Sequence, residues 1–592
     1  MRYRCVLALL FTFVFSGSPG LAQKTPGGKG TRSTPGPAGT LASSAPPLSG
    51  GAAHHAYEES TVDFRSEAVL VQVPVVVTDK QGNHLHGLKK EEFEVYEENK
   101  LQKITVFEEL KADRARPSLP STQGDTFTNR LETANRPKSI TIFVLDAINT
   151  PYLDQAYGRQ QLIRYLASNV DPDQSFVLVS LGGRGVRILH GVTQDTGALI
   201  EELKKLSGEI PAMQGVSVAT LAGAATSSGF GTPVQTSSAG YASLRSWLTD
   251  GEEDLAKLQQ DQAIEATMRG FLDIAWALSG IPGRKSLVWA TGGFPFYLDS
   301  PAAVPGGTLS VLYERTMQTM NDAQIAVYPV DVRGLINTVP AADSSARVHP
   351  GFGASQSLAA RNWLQGITLD TLRDFADMTG GRAFYNTNDV AGSYNRAAAD
   401  SASYYLIGYS LDTGNRKPGW RSLKVKVHQS GAEVRARNGF FVTNATVNPE
   451  LSRKLDIGFA IYSPFNSTGI PISIQWTGQG KNQDPDAQDK KTVTFLIRVD
   501  GGAVALDSGD KQHLDLDLLA FAFTGKGRET AATFSQNFQT PIAEDQLAKL
   551  REKGLGYSSV LKLSAGRYNV RFVVRDNVSG RIGSVSAPVT VN

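Results

Sequence analysis

Apolar and polar positions change period several times along the chain, and each change predicts a different kind of element. Val69, Val71, Val73, Val75 and Val77 alternate with other residues, which predicts a strand with one buried face. Asp79-Lys80-Gln81-Gly82 reads as the turn after it. Residues 88–97 and 103–107 carry the pattern on, so 57–112 is expected to be a small β module.

From Ser139 the period switches. The run from Ile140 to Leu145 is unbroken and apolar, as a parallel strand covered on both faces should be. Leu162, Ile163, Tyr165 and Leu166 then fall at helical spacing. Strands are predicted at 176–179 and 286–290 and from Ile325 to Asp331, with an edge strand at 186–189. Helices are predicted around Leu199, Leu203 and Leu206, over 264–278, and around Leu372 and Phe375. Gly380-Gly381 is a helix stop signal. A short strand at 382–385 and antiparallel strands at 404–409, 423–427 and 434–437 close the unit. The alternation predicts a central α/β, doubly wound, Rossmann-like sheet over 138–446, interrupted by a low-complexity insertion at 207–259. Residues 447–592 return to a β pattern at 493–497, 513–519, 568–574 and 585–591, with a turn at 575–580. A C-terminal β-sandwich is the expected closure. Segments 23–56 and 113–137 are rich in Gly, Pro, Ser and Thr and read as linkers.

Composition narrows the function. Lys+Arg 59 against Asp+Glu 57 leaves a net charge of +2 over 592 residues, which lacks the basic excess of a nucleic-acid binder. Cys5 is the one cysteine, so a disulfide framework and a Cys-based metal site are excluded. Arg2 and Arg4 precede an apolar run at 6–15, then small residues and Leu21-Ala22-Gln23. This is the layout of a signal peptide over 1–22. Its apolar run is short of the roughly 20 residues a membrane span needs. No later stretch is long and apolar enough to span a bilayer, so a mature chain without a transmembrane segment is expected, secreted or periplasmic.

Several blocks occur in a set order: LKKEEFEVYEE, ITIFVLDAINT, GRKSLVWATGG, IAVYPVDVRGL, FADMTGGRAFYNTND and YYLIGYS. Over roughly residues 60–445 the chain resembles the secreted bacterial VWFA-related domain family known from acidobacteria, which is von Willebrand factor type A-like. The resemblance implies a metal-ion-dependent adhesion site at the carboxyl ends of the parallel strands. That site uses Asp-x-Ser-x-Ser, a Thr from another loop and an Asp in a Thr-Asp-Gly turn, because Mg2+ or Mn2+ takes oxygen ligands and keeps a position open for a partner's carboxylate. Asp146 matches the first Asp. Ile148 replaces the first Ser, Thr150 stands for the second, and Gly292 replaces the Asp between Thr291 and Gly293. The site is therefore degenerate, with Asp146, Asn149, Thr150 and Thr291 as the surviving oxygen donors. A second reading has Asp146 capping the turn that follows it. Asp331 is open to the same two readings, ligand or turn closure.

The resemblance further implies a non-enzymatic adhesion or scaffold protein. Its partner is a protein, an envelope component included, met through a rim of Asp146, Thr150, Thr291, Gly292 and Gly293. A second hypothesis places carbohydrate or envelope binding on the C-terminal sandwich, with Trp476 either a surface or a core ring. A third is a hydrolase with an unrecognised site. No HExxH, GxxxxGK[ST], strand-linked GxGxxG or GxSxG occurs. His54-His55 and His84-x-His86 read as solvated pairs, and Gly182-Gly183-Arg184-Gly185 as a tight turn.

Overall fold

The computed structural model describes residues 69–111, 126–130, 140–208 save Asn169, Asp173 and Arg184, 259–294, 308–335, 369–411, 419–442, 449–481, 490–508, 512–525 and 529–592. The expected signal segment 1–22, the linker 23–56 with His54-His55, and nearly all of the insertion 207–259 lie outside the described residues. Every described residue belongs to one compact unit, Ser66–Asn592.

At its centre is a five-stranded sheet. Strands run in the order Ile325–Asp331, Lys285–Thr291, Ile140–Asp146, Ser175–Gly182 and Gly185–Thr193. The first four are parallel and the last is an antiparallel edge. The apolar run from Ile140 is continuous because alternate side chains enter two different clusters. Ile142 and Val144 meet helices 259–278, Thr308–Asp322 and 369–379 on one face. Phe143 meets Tyr152–Leu166, Thr196–Lys205 and Val390–Ala399 on the other. Asp195 and Asp389 start two of these helices by accepting backbone N–H bonds from Ala198 and Gly392. Gly380, at φ +77°, ends a third. The amino end of the sheet is sealed by two buried basic side chains. Lys285 Nζ donates to the carbonyls of Ile281 and Ala323, and Arg284 to Tyr328 Oη and the Gly380 carbonyl. Three of those carbonyls follow helix ends, where negative partial charge gathers.

The expected β module does not close within 57–112. Strand Val69–Thr78 lies between Ser403–Leu411 and Glu433–Arg435, and Ile104–Lys111 flanks Ser403–Leu411 on its far side. Strands Phe93–Glu97 and Lys100–Gln102 join Gly419–Val427 and Gly439–Val442 in a second sheet. The strands assigned from sequence to the end of the α/β unit thus belong here. Val71, Val73 and Val75 stand beside Tyr409, Ile407 and Tyr405 on one apolar face, and Phe93, Val95, Leu423 and Phe440 of the second sheet share its cluster. The expected strand at 382–385 reduces to one bridge, Phe384 to Val330.

The C-terminal part is two antiparallel sheets. One holds Leu555–Ser564, Lys490–Val499, Ile472–Lys481 and Thr126–Thr128; the other holds Asp507–Ser508, Gln512–Thr524, Gly566–Asp576, Ile582–Val591 and Thr530–Pro541. Their apolar faces share one cluster that includes Ile474, Phe495, Ala520 and Phe572. Thr126–Thr128 lies inside the expected linker 113–137, yet it pairs with Ile472–Lys481. Trp476 packs against Phe495 and Phe572, ring centroids 6.3 and 5.6 Å away, so its ring faces inward.

Buried ions join these parts. Asp456, on helix Pro449–Tyr462, accepts from Arg315 Nε at 3.0 Å and from Arg575 Nη2 at 2.9 Å. It therefore ties an α/β helix to a C-terminal strand. Asp273 on helix 259–278 bonds Ser463, and burial pushes its carboxyl up to about 6.

Candidate functional site

Parallel pairing decides which chain reversals become neighbours. Leu145 lies opposite Ala290, and Thr291 opposite Asp331. The turn 146–150 and the turn 291–293 therefore sit side by side at the carboxyl edge of the sheet, as the topology of open α/β sheets requires.

Asp146 organises this edge. Its Oδ1 accepts backbone N–H bonds from Ile148 at 2.9 Å and Asn149 at 3.0 Å. Its Oδ2 accepts from Asn149 Nδ2 at 2.8 Å, Trp289 Nε1 at 3.0 Å and Thr291 Oγ1 at 2.8 Å. Burial pushes the Asp146 carboxyl above the ordinary carboxylate range, and bonds from Asn149, Thr291 and Ile148 pull the other way. Thr150 Oγ1 accepts the Gly292 N–H at 2.9 Å, which staples the two turns together. Asn149 Nδ2 also reaches Thr267 Oγ1 at 3.0 Å, and Thr267 donates to the Ala263 carbonyl.

This donor set does not fit a divalent cation. A carboxylate offers about four lone-pair sites, and five protein donors converge on Asp146. Gly292 cannot be replaced by the missing carboxylate either. A Cβ there would lie 2.8 Å from Pro151 Cδ and 3.1 Å from both the Asn149 carbonyl oxygen and Thr150 Cα. One buried acceptor, Asn149 Oδ1, is left without a hydrogen bond, and one oxygen does not make an octahedron. Among the described residues no group of three or more His, Cys, Asp or Glu converges. Asp331 closes its own turn: its Oδ1 accepts the Arg333 N–H at 3.0 Å, and the Arg333 guanidinium clamps both oxygens.

The expected rim is buried. Asp146, Thr150 and Thr291 are at most 2% exposed, and Gly292 and Gly293 are buried beside them. They cannot touch a partner directly, because their polar atoms are spent on each other. Among the described residues, the large apolar side chains exposed along this edge are Tyr152, Leu153 and Leu335, at 50, 79 and 59% exposure. Leu335 is held in place by its backbone N–H on Asn388 Oδ1, 3.1 Å away, and Tyr157 Oη bonds the Asn388 carbonyl from the next helix. Tyr152 and Asp146 line a cavity of about 50 Å3, room for a few waters and not for a substrate.

Two contributors were invisible in the sequence pattern. Trp289 reads as a core ring, and only its neighbour's carboxylate shows that its N–H is used. Thr267 sits mid-helix, where nothing in its surroundings marks it as a partner of Asn149. A second polar cluster brings His86, Glu109 and Ser403 together. Glu109 Oε1 at 2.9 Å and Ser403 Oγ at 3.4 Å both meet His86 Nδ1. A relay needs the two ring nitrogens separately, so His86 as placed does not link a nucleophile to an acid.

No known family model and no curated protein matches the chain. Among solved structures it is similar to the SpRpn10 VWA domain, at 13% identity over 33% of this chain and 74% of that one, with a TM-score of 0.15. It is also similar to a putative beta-galactosidase from Bacteroides fragilis, at 15% identity over 32% of this chain and 26% of that one, with a TM-score of 0.13. At such TM-scores neither likeness bears on the fold or on the chemistry.

Proposed function

We propose that the protein is an exported, non-enzymatic protein-binding or adhesion scaffold. Its α/β unit is of the von Willebrand factor A type, and its docking edge works without a cation. The observation that carries the reading is the exposed set Tyr152, Leu153 and Leu335 standing over a turn locked by five bonds to Asp146. A rigid backbone beneath exposed apolar side chains spares the cost of ordering a loop on binding, which suits a protein partner. The layout of residues 1–22 supports export to the periplasm or beyond. The partner is an envelope or extracellular protein with a complementary apolar surface.

The alternative, sugar binding by a C-terminal β-sandwich, needed an exposed ring. Trp476 does not provide one, since it packs between the sheets.

The test is capture from envelope fractions with the full chain, in Mg2+ and in EDTA. The reading expects one protein retained equally in both, and lost with Leu153→Ser combined with Leu335→Ser. Retention that collapses in EDTA, or that survives the double substitution, overturns it.

A further inference from the structure

Away from the docking edge, a cavity of about 220 Å3 lies where the parallel sheet, helix 259–278 and the C-terminal part meet. Ile142, Val177 and Val179 form its floor, Ile274 and Ala277 one wall, and Phe465 closes it from the C-terminal side. Four polar side chains line it, and all are already engaged. Thr128 Oγ1 donates to the Ile472 carbonyl at 2.7 Å, and Asn466 Oδ1 accepts from Arg571 Nη1 at 2.8 Å. Asn129 Nδ2 donates to the carbonyls of Ser467 and Ile470, and its Oδ1 accepts the Ile472 N–H at 2.7 Å. Thr468 Oγ1 accepts the Gly280 N–H at 2.8 Å and donates to the Ala277 carbonyl at 2.9 Å.

Protein interiors hold few voids larger than a water molecule, because each lost contact forfeits dispersion energy. A cavity this size with its polar groups satisfied gives water nothing to hold. An apolar cavity of about 150 Å3 already takes a benzene molecule, and this one is larger. Its walls are mainly branched aliphatic side chains, which suit an alkyl chain better than a flat ring. At the mouth Gly191, Ile188 and Asn466 are exposed, so a polar head group can stay in water there.

We propose that this cavity binds a medium-length aliphatic chain, such as the acyl chain of a fatty acid or lipid. The site is separate from the docking edge and does not depend on it.

The test uses the full chain and decanoate, by calorimetry, with a photoreactive diazirine fatty acid for mapping and a short-chain phosphatidylcholine as a second arm. The expected result is saturable binding of one decanoate per chain, with cross-links to peptides from 142, 177–192 or 274–281. Binding of the phospholipid but not decanoate assigns the chain to a lipid; the reverse assigns it to a free acid. Ala277→Phe fills the cavity and is expected to weaken binding at least tenfold. Gly191→Leu does the same from the mouth, where an added Cβ meets no atom within 4 Å, so it remains informative if the first variant fails to fold. Leu153→Ser should leave binding unchanged. Non-saturable adsorption, cross-links elsewhere, or full affinity in a folded filled variant overturns the proposal.

Discussion

The indole N–H of Trp289 donates to Asp146 Oδ2 across 3.0 Å, from the core of one parallel strand to the last residue of its neighbour. The same ring packs edge-on against Phe271, centroids 4.9 Å apart. One residue thus ties the helix layer, the sheet and the strand-end turn together.

That bond can be weighed. Trp289→Phe keeps most of the ring and deletes the donor. Hydrogen bonds to a charged group contribute about 1.5–3 kcal/mol, and a small packing loss adds to this. Urea unfolding should show a loss of ~2–4 kcal/mol. A loss under ~0.5 kcal/mol would mean that the indole N–H is idle.

The carboxylate itself should matter more than any single donor. Asp146→Asn cannot accept five bonds and brings N–H groups to face N–H groups. We expect at least ~3 kcal/mol of destabilisation from the unsatisfied donors. Mg2+ and Mn2+ should leave the melting temperature of the wild type unchanged, and heat on titration with either ion would contradict the donor count.

Restoring the missing acid should not restore a metal site. Gly292→Asp pushes a Cβ into Pro151 and the backbone of Asn149 and Thr150. Overpacking of this kind costs about 1–3 kcal/mol. Thermal melts should fall, and calorimetry with Mn2+ should stay flat.

Asp456 holds two guanidinium groups between parts of the chain. Asp456→Ala leaves Arg575 buried without its partner, a change that costs about 3–5 kcal/mol. Limited proteolysis should then cut between the helix Pro449–Tyr462 and the α/β unit faster than in wild type. Unchanged cleavage would show that the joint does not rely on this ion.

Asp273 gives a pH signature. Its folded pKa, raised to about 6 by burial, exceeds the unfolded value near 3.8. The folded state therefore holds the proton more tightly, and stability from this group is full below about pH 4 and lost as pH rises to about 6. Asp273→Asn stays neutral throughout. The stability difference, variant minus wild type, should grow by up to ~3 kcal/mol between pH 4 and 7. A difference that is flat with pH would refute the assignment.

How much of this could be read from residues alone depends on chain distance. The parallel strands were legible because Ile140–Leu145 and Ile325–Asp331 carry their own signature, apolar on both faces. The adjacency of 146–150 and 291–293 followed from that order. The β module was misread because alternation in Val69–Thr78 shows one buried face and says nothing of what buries it. Its partner, Ser403–Leu411, lies across the whole α/β unit. Thr126–Thr128 escaped notice for a similar reason: three polar or aromatic residues in a linker become a strand only beside Ile472–Lys481. Position 292 was legible as a lost ligand, whereas the crowding that forbids its return was visible only in space.

The pairing of Val75 with Tyr405 also sets a timetable. A chain emerging from its amino end carries Val69–Thr78 unpaired until the strand that bonds to it has been made. Thr126–Thr128 waits longer still, for Ile472–Lys481. The early strands must be kept from sticking to other chains in the interval, and a nick or stop anywhere in the middle strands them without a home.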